Sequence, residues 1–511
     1  MKSIDLPYEY TKRMEALLGS EYDDYLASFE KPWSRGLRVN EKKIAAGAFP
    51  ALCGRSLRPV PWIRNGFYQP DDWQASKDPL YYAGLYYLQE PSAMTPASCL
   101  PVEPGDRVLD LCAAPGGKAT ELGARLKGRG LLWANDISAS RARALLKNLE
   151  LWGIPNICVT GETPERLAQA LPEFFDKILV DAPCSGEGMF RKEPEMVKDW
   201  MEKGPAYYAP IQREILLQAA SMLRPGGYLL YSTCTFSPEE DEANAEFLLE
   251  NVPELSLVPL PLFEGASPGF GLPGVLRLFP HKINGEGHFL ALFQKKERPD
   301  AVSAAPKTAE WSPVRKSSEE KASRSRRNTA GRNTAGRNIA GRNTAGRNTA
   351  EKNTAGKITA EKKEADAREA FLHFSHALNL APGDDPAALF NSERLSLIGG
   401  NLYAIPPGFP ETAGLRILRS GLLLGQARRG RFEPSQALAM ALKPDQISAS
   451  LHLPYQDERV IRYLKGESVD AGPEGGRDGW RLVCLDEFPL GWAKDAGRFL
   501  KNKYYPGWRY V

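Results

Sequence analysis

From Asp106 onward, apolar runs and helical stretches alternate along the chain, and this alternation restricts the fold more than any other feature. Apolar runs at 107–111, 131–135, 157–160, 177–181 and 228–232 read as strands, and 289–294 reads as a final one. Helical patterns at 120–127, 139–152 and about 210–223 fall between them. Alternating βα units predict a parallel sheet covered by helices on both faces, so the expected fold class is α/β. This domain is expected over 101–296. Residues 1–100, with short helical and turn signals and many Pro and Trp, predict a small α+β module in front of it.

At 511 residues the chain is too long for one core. Its 42% apolar and 25% charged content is that of a soluble globular protein. The 7 cysteines are scattered, with no pair at Cys-x-x-Cys spacing, which argues against a disulfide framework and a zinc ribbon and for a reducing cytosol. No apolar run reaches membrane-spanning length, and the first residues, MKSIDLPYEYTKRM, lack the apolar stretch of a signal peptide. The expectation is therefore a cytoplasmic protein without metal or membrane.

The net charge of +3 is unevenly spread. Residues 315–363 hold 14 Lys/Arg against 4 Asp/Glu, an excess of ten that leaves the rest of the chain near −7. A pentapeptide, Asn-Thr-Ala-Gly-Arg, repeats from about Asn328, and no aromatic residue or Leu occurs between Trp311 and Phe371. A five-residue period matches neither helix nor strand, so 297–365 is read as a disordered basic linker. It is either a passive tether or a non-specific attractor of phosphates. Apolar patterning resumes in a small unit at 366–412. Residues 413–511 then carry strand patterns at 415–418 and 422–426, a helical pattern at 434–442 and an aromatic-basic tail.

The first strand of the α/β domain runs into Cys112, Ala113, Ala114, Pro115, Gly116, Gly117 and Lys118, a small-residue turn that opens a helix. Small residues let the backbone approach a ligand, and a helix N-terminus offers free N–H groups to a carboxylate or phosphate. Asp136 closes the next strand, where an acid accepts hydrogen bonds from ribose hydroxyls. The Gly-x-Gly-x-x-Gly spacing of dinucleotide folds is missing, as is a second mononucleotide-binding half. S-adenosylmethionine fits better. Cys112 reads as a small packing residue.

Cys184, in Asp181-Ala182-Pro183-Cys184-Ser185-Gly186, and Cys234, in Ser232-Thr233-Cys234-Thr235-Phe236, each follow a strand on this sheet. The Asp-Ala-Pro-Cys turn is similar to the Asp/Asn-Pro-Pro-aromatic turn of amino-group methyltransferases, with cysteine in the place of the aromatic ring. An exocyclic amine is already nucleophilic, whereas carbon 5 of a pyrimidine is not. Thiolate addition at carbon 6 activates carbon 5, and a base must then remove the carbon-5 proton so that the thiolate leaves.

With these residues the chain resembles the bacterial RNA cytosine carbon-5 methyltransferases of the Sun/Fmu group, most closely the RsmF-like 16S ribosomal RNA branch. The resemblance covers 87–94 (YLQEPSAM), the 112–118 loop, 181–191 (DAPCSGEGMFR), 232–241 (STCTFSPEED) and 277–289 (RLFPHKINGEGHF). It continues at 421–439 and 489–502, which resemble that branch's PUA-like RNA-binding region, so nearly everything outside 300–365 is matched. The resemblance implies a Rossmann-like S-adenosylmethionine-dependent domain over 101–296. It also implies an RNA-binding module at 1–100 and a PUA-like region at 413–511.

By the same resemblance, Cys234 is the nucleophile, and Cys184 assists product release as the base or its relay. Asp181 holds the cytosine edge and helps protonate the ring. The 112–118 loop binds the methionine part of the cofactor, Asp136 the ribose, and Asp181 also borders the cofactor. Lys118 is either a cofactor or substrate contact or a solvated helix residue. Where related enzymes often place an acid near the adenine, this chain has Thr163 beside Glu162, which leaves that contact open. Arg38-Val39-Asn40 fits the family's RNA-facing region or a turn with a solvated Arg. The tail around Tyr504, Tyr505 and Trp508 fits either an RNA surface or a packed strand. The expected partner is ribosomal RNA or the small ribosomal subunit. The rival readings are a transfer RNA methyltransferase and an RNA-binding assembly factor whose methyl transfer is dispensable.

Overall fold

The structure, a computed structural model, describes residues 5–298, 362–376, 394–412, 414–428, 430–447, 449–472 and 479–510. The basic repeat, and most of the segment read as a linker, lie outside the described residues. Three short antiparallel strands, β1 (Gly36–Val39), β2 (Gly66–Tyr68) and β3 (Tyr86–Leu88), form a sheet in the order β2-β1-β3. The chain then enters the central sheet through β4 (Arg107–Asp110), β5 (Leu131–Asn135), β6 (Ile157–Thr160), β7 (Phe175–Asp181) and β8 (Leu223–Thr233). These five are parallel in the order β6-β5-β4-β7-β8.

Side chains alternate across this sheet as the strand period of two requires. Val108, Leu132, Leu179 and Leu230 fill the core on one face, and Leu109, Trp133, Ile178 and Leu229 fill the core on the other. All eight are fully buried. Burial on both faces is why these strands read as continuous apolar runs.

The expectation of a parallel sheet needs correction at both edges. β12 (His288–Lys295) pairs antiparallel with β8, and β9 (Leu255–Val258), β10 (Ala266–Pro268) and β11 (Leu276–Leu278) extend that side. No helix separates β9, β10, β11 and β12, so antiparallel pairing is open to them. At the opposite edge, β15 (Ile417–Ser420), far downstream in sequence, pairs antiparallel with β6. An exposed edge strand is a template for unwanted pairing, and β15 covers it.

The C-terminal region brings two more sheets. β13 (Leu395–Ile398), β14 (Asn401–Ala404), β16 (Leu422–Arg428) and β17 (Arg431–Pro434) make the first, in that order. The division expected at 412/413 falls between β14 and β16, which are hydrogen-bonded neighbours. The second sheet has the order β18-β20-β21-β22-β19, from Ser450–Leu453, Trp480–Leu485, Phe488–Asp495, Phe499–Asn502 and Val469–Asp470. Its core is continuous with that of the N-terminal module: Leu37, Phe49 and Tyr86 share one cluster with Tyr463, Leu490 and Trp508. The tail is therefore a packed segment. Tyr504 and Trp508 are buried, while Lys501, Lys503, Tyr505 and Arg509 remain exposed.

Arg38 also departs from expectation. It lies within β1 and is 1% exposed, so it is neither RNA-facing nor solvated. Its guanidinium donates to Gln89 Oε1 at 2.8 Å, Gly117 O at 2.6 Å and Thr120 Oγ1 at 2.7 Å. It pairs with Glu121 at 3.1 Å and stacks 4.9 Å above the Trp152 ring. Arg38 thus ties the N-terminal module to the helix Gly117–Arg125 that follows the Gly-rich turn. Removing one partner of a buried ion pair costs about 3–5 kcal/mol. Arg38→Ala is expected to lose that much stability in urea unfolding, whereas a loss below about 1 kcal/mol would contradict the strut.

Candidate active site

The chain leaves β4 for β5 and β6 on one side of the sheet, then returns to build β7 and β8 on the other. The crevice at the carboxyl ends of β4 and β7 is therefore a topological switch point, where open α/β sheets bind ligands. Three turns converge on it: 111–116 after β4, 182–186 after β7, and the one entered at Cys234 after β8.

The first turn ends at Gly116, whose φ of 114° is open to glycine and strained for other residues. The helix Gly117–Arg125 starts there, with no side-chain cap on its first N–H groups. The turn is held from outside. Arg141 donates to Ala114 O at 2.8 Å, Asn148 to Pro115 O at 2.8 Å, and Asn135 O accepts from Ala113 N at 2.8 Å. Asp136 is 3% exposed, accepts from Ser138 N at 2.9 Å and lies 3.4 Å from Arg141.

Parallel pairing sets Asp181 opposite Ser232. Ser232 donates to Asp181 Oδ1 at 2.8 Å, and Lys118 Nζ reaches Asp181 Oδ2 at 2.7 Å. His288 Nε2 stands 3.5 Å from the same carboxylate. Burial alone would raise the Asp181 carboxyl, but the Lys118 charge, the nearby His288 and the Lys118 hydrogen bond outweigh it. They hold it well below the usual carboxylate range. Lys118 is thus not a solvated helix residue.

Beyond Asp181 the two thiols meet: Cys184 Sγ lies 3.4 Å from Cys234 Sγ. The hydrogen bond with Cys234, then burial, then the Cys234 and Glu240 charges push the Cys184 thiol well up. Gly188 N donates to Cys234 O at 2.9 Å, and a Cβ at 188 would sit 2.9 Å from that oxygen, so glycine is needed for the approach. Cys112 lies apart from this pair. Burial, followed by Asp110, Asp181 and Asp136, pushes its thiol up and leaves it poorly suited to nucleophilic work.

Asp110 carries chemistry that the sequence reading missed. It is fully buried, and neither carboxylate oxygen has a hydrogen-bond partner among the described residues. Burial first, then the Asp181 and Asp136 carboxylates, push it up to about 8. With Lys118 paired to Asp181, the turn is short of positive charge. A ligand bringing a sulfonium and an ammonium relieves that deficit, whereas a pyrophosphate would deepen it. The residues present therefore fit S-adenosylmethionine better than a dinucleotide.

The two adenine candidates have structural work. Thr163 caps the helix Pro164–Ala170. Glu162, fully buried, accepts from Arg416 N and pairs with Arg166 at 3.2 Å and Arg416 at 3.4 Å. These bonds tie β15 to the end of β6, and Phe409 stacks on Trp133 at 6.0 Å beside them.

Comparison with known proteins adds the family. A profile described as 16S rRNA methyltransferase RsmB/F matches residues 97–294. Profiles for the N-terminal domain of 16S rRNA methyltransferase RsmF, the RsmF rRNA methyltransferase first C-terminal domain and the Methyltransferase RsmF PUA domain match 6–91, 374–442 and 450–510. The chain belongs to the RsmB/F methyltransferase family. The ribosomal RNA small subunit methyltransferase F of Citrobacter koseri is 41% identical over 298 residues, 56% of this chain and 62% of the relative. That of Escherichia fergusonii is 39% identical over 306 residues, 58% of this chain and 64% of the relative. The match thus spans a little under two thirds of the length of these relatives. A crystal structure of a methyltransferase homolog protein from Pyrococcus horikoshii superposes with a TM-score of 0.51 at 29% identity, over 57% of this chain and 96% of that one.

The RsmB/F family is one of S-adenosylmethionine-dependent methyltransferases. No helix among the described residues is long and apolar enough to cross a membrane. Asp110 offers a pH test of the crevice. Its carboxyl is raised on folding, so its contribution to stability is full below about pH 4 and is lost as pH rises through about 8. Asp110→Asn is expected to raise the unfolding midpoint of the ligand-free protein at pH 9 by about 2–4 °C and by a smaller amount at pH 5. A larger gain at pH 5 than at pH 9 would contradict that charge balance.

Proposed function

We propose that this RsmB/F protein methylates carbon 5 of cytosine in 16S ribosomal RNA through a covalent Cys234 intermediate. One observation carries the reading: two thiols 3.4 Å apart stand beside a lysine-paired aspartate at the switch point of the sheet. An amino-group methyltransferase needs neither thiol.

The target base must leave its stack to enter the crevice, because carbon 6 is attacked from the ring face. Asp181, held ionised, accepts from the amino edge of the ring. The Lys118 ammonium beside it is the proton source as the ring takes up charge, so Asp181 assists protonation through Lys118 and does not itself donate. Cys234, its proton given up to solvent, bonds through sulfur to carbon 6, and the electron pair displaced from the 5,6 double bond makes carbon 5 nucleophilic. When bound, S-adenosylmethionine supplies an electrophilic methyl group on a sulfonium. The 112–118 loop, Asp110 and Asp136 would hold it, and it would supply the methyl group to carbon 5, the electrons of the broken S–C bond staying on the cofactor sulfur.

Release needs the carbon-5 proton to go. Once Cys234 is a thioether, the Cys234 hydrogen bond and charge that helped push the Cys184 thiol up are gone, and Cys184 gives its proton to solvent more readily. Its thiolate takes the carbon-5 proton. The C–H electrons restore the 5,6 double bond, the C–S electrons return to Cys234, and the ring gives the proton it took back to Lys118. The new Cys184 thiol then hydrogen-bonds the departing Cys234 sulfur.

The family descriptions and the two curated relatives support ribosomal RNA over transfer RNA as substrate. Naked RNA and the small subunit are both candidate substrates, and such a substrate places the protein in the cytoplasm. Cys234→Ala is expected to lower methyl transfer by at least about 10³-fold. Cys184→Ala is expected to accumulate a protein–RNA adduct that survives a denaturing gel. The double variant is expected to show none. An adduct that persists in the double variant would overturn the assignment of Cys234.

A further inference from the structure

The residues that follow the two cysteines are joined to each other and to one buried acid. Ser185 Oγ and Thr235 Oγ1 lie 2.7 Å apart. Ser185 N donates to Glu240 Oε1 at 2.9 Å, and Ser185 Oγ hydrogen-bonds Glu240 Oε2. Gln212 Nε2 donates to Glu240 Oε1 at 2.9 Å and to Pro183 O at 2.9 Å, so a helix braces the same turn from beneath. Ser185, Thr235, Gln212 and Glu240 are each 2% exposed or less.

This arrangement is costly unless it serves the site. The side-chain partners of Glu240 are neutral donors, and a buried charge without a counter-ion costs several kcal/mol. The titratable groups facing it are Cys184 and Glu187 on the turn after β7, Tyr231 on β8 and Asp241 beside it. Glu187 is paired with Arg13 and Asp241 with Arg277; the Glu187 charge still raises Glu240, and the Glu240 charge raises Cys184. Tyr208 also faces Cys184. Burial pushes Glu240 up to about 7, against the Ser185 and Gln212 hydrogen bonds, so its charge changes near neutral pH.

We propose that Glu240 is a positioning residue for the release step: through Ser185 and Thr235 it fixes Cys184 against Cys234, and its charge is felt at Cys184. The proposal rests on the methyl-transfer reading above. No bond to substrate or cofactor is assigned to Glu240. It acts through the two turns that carry the thiols. An ionised Glu240 raises the proton affinity of Cys184 and so delays its ionisation, while a neutral side chain of the same shape keeps the clamp and removes the charge.

The test uses the full chain with unmethylated 16S ribosomal RNA, supplied naked and as small subunits, from pH 6 to 9. Methyl transfer in the first turnover and the fraction of covalent adduct are both read. For Glu240→Gln, first-turnover transfer is expected to fall no more than about tenfold. The pH midpoint for adduct release is expected to move down by about 0.5–1 unit. Ser185→Ala, which cuts the link to Thr235 but keeps Glu240, is expected to accumulate adduct across the range, as is Glu240→Ala. A Glu240→Gln midpoint equal to that of the wild type, with Ser185→Ala releasing normally, would overturn the proposal. Should Glu240→Ala fail to fold, the Gln and Ser185 variants still decide. Wild-type protein that neither methylates nor forms an adduct would instead overturn the methyl-transfer reading.

Discussion

Everything at this site depends on the side-by-side parallel pairing of β7 and β8. Because Asp181 stands opposite Ser232, the turns that leave the two strands start level with each other. The cysteines, 50 residues apart in sequence, are thereby brought to 3.4 Å. Strand pairing supplies this proximity before any substrate binds, so a reaction that needs two thiols does not have to find the second one by chance. The Lys118–Asp181 pair then joins the turn after β4 to the turn after β7 and ties the cofactor side of the crevice to the thiol side.

The flanking regions brace this centre. Arg38 locks the helix behind the Gly-rich turn to the N-terminal module. Arg13 and Trp200 both reach the buried Glu187 between the two thiol-bearing turns, so the first helix, Tyr8–Leu18, supports them from outside. On the far edge, β15, Glu162 and Arg416 fasten the C-terminal region beside the cofactor end of β6. The core shared by β1 and the last sheet joins the two ends of the chain. Among the described residues, the N-terminal, central and C-terminal regions are thus joined by packed contacts.

Much of this was legible in the sequence because its signals are local. Apolar runs buried on both faces announce β4 to β8, and small residues announce the turn after β4. Cys184 and Cys234 stand out because each follows such a run. The antiparallel additions were harder. β9, β10 and β11 are only three or four residues long, and β15 joins the sheet from more than 250 residues beyond β6. Single carboxylates were hardest. Asp110 reads as the polar end of a strand and Glu240 as one acid among four in a row, and only the distance from their neighbours distinguishes them. Arg38 was misread for the same reason: the partners that bury it are contributed by segments about 50 to 80 residues away.

The central claim is that the paired thiols serve cytosine methylation in ribosomal RNA. Bisulfite sequencing of total RNA from cells with and without this gene tests it most directly. The account predicts that protected cytosines in 16S ribosomal RNA are lost with the gene and return with the wild-type chain. Unaltered protection in 16S ribosomal RNA would contradict the account, whether or not protected cytosines vanished from transfer RNA.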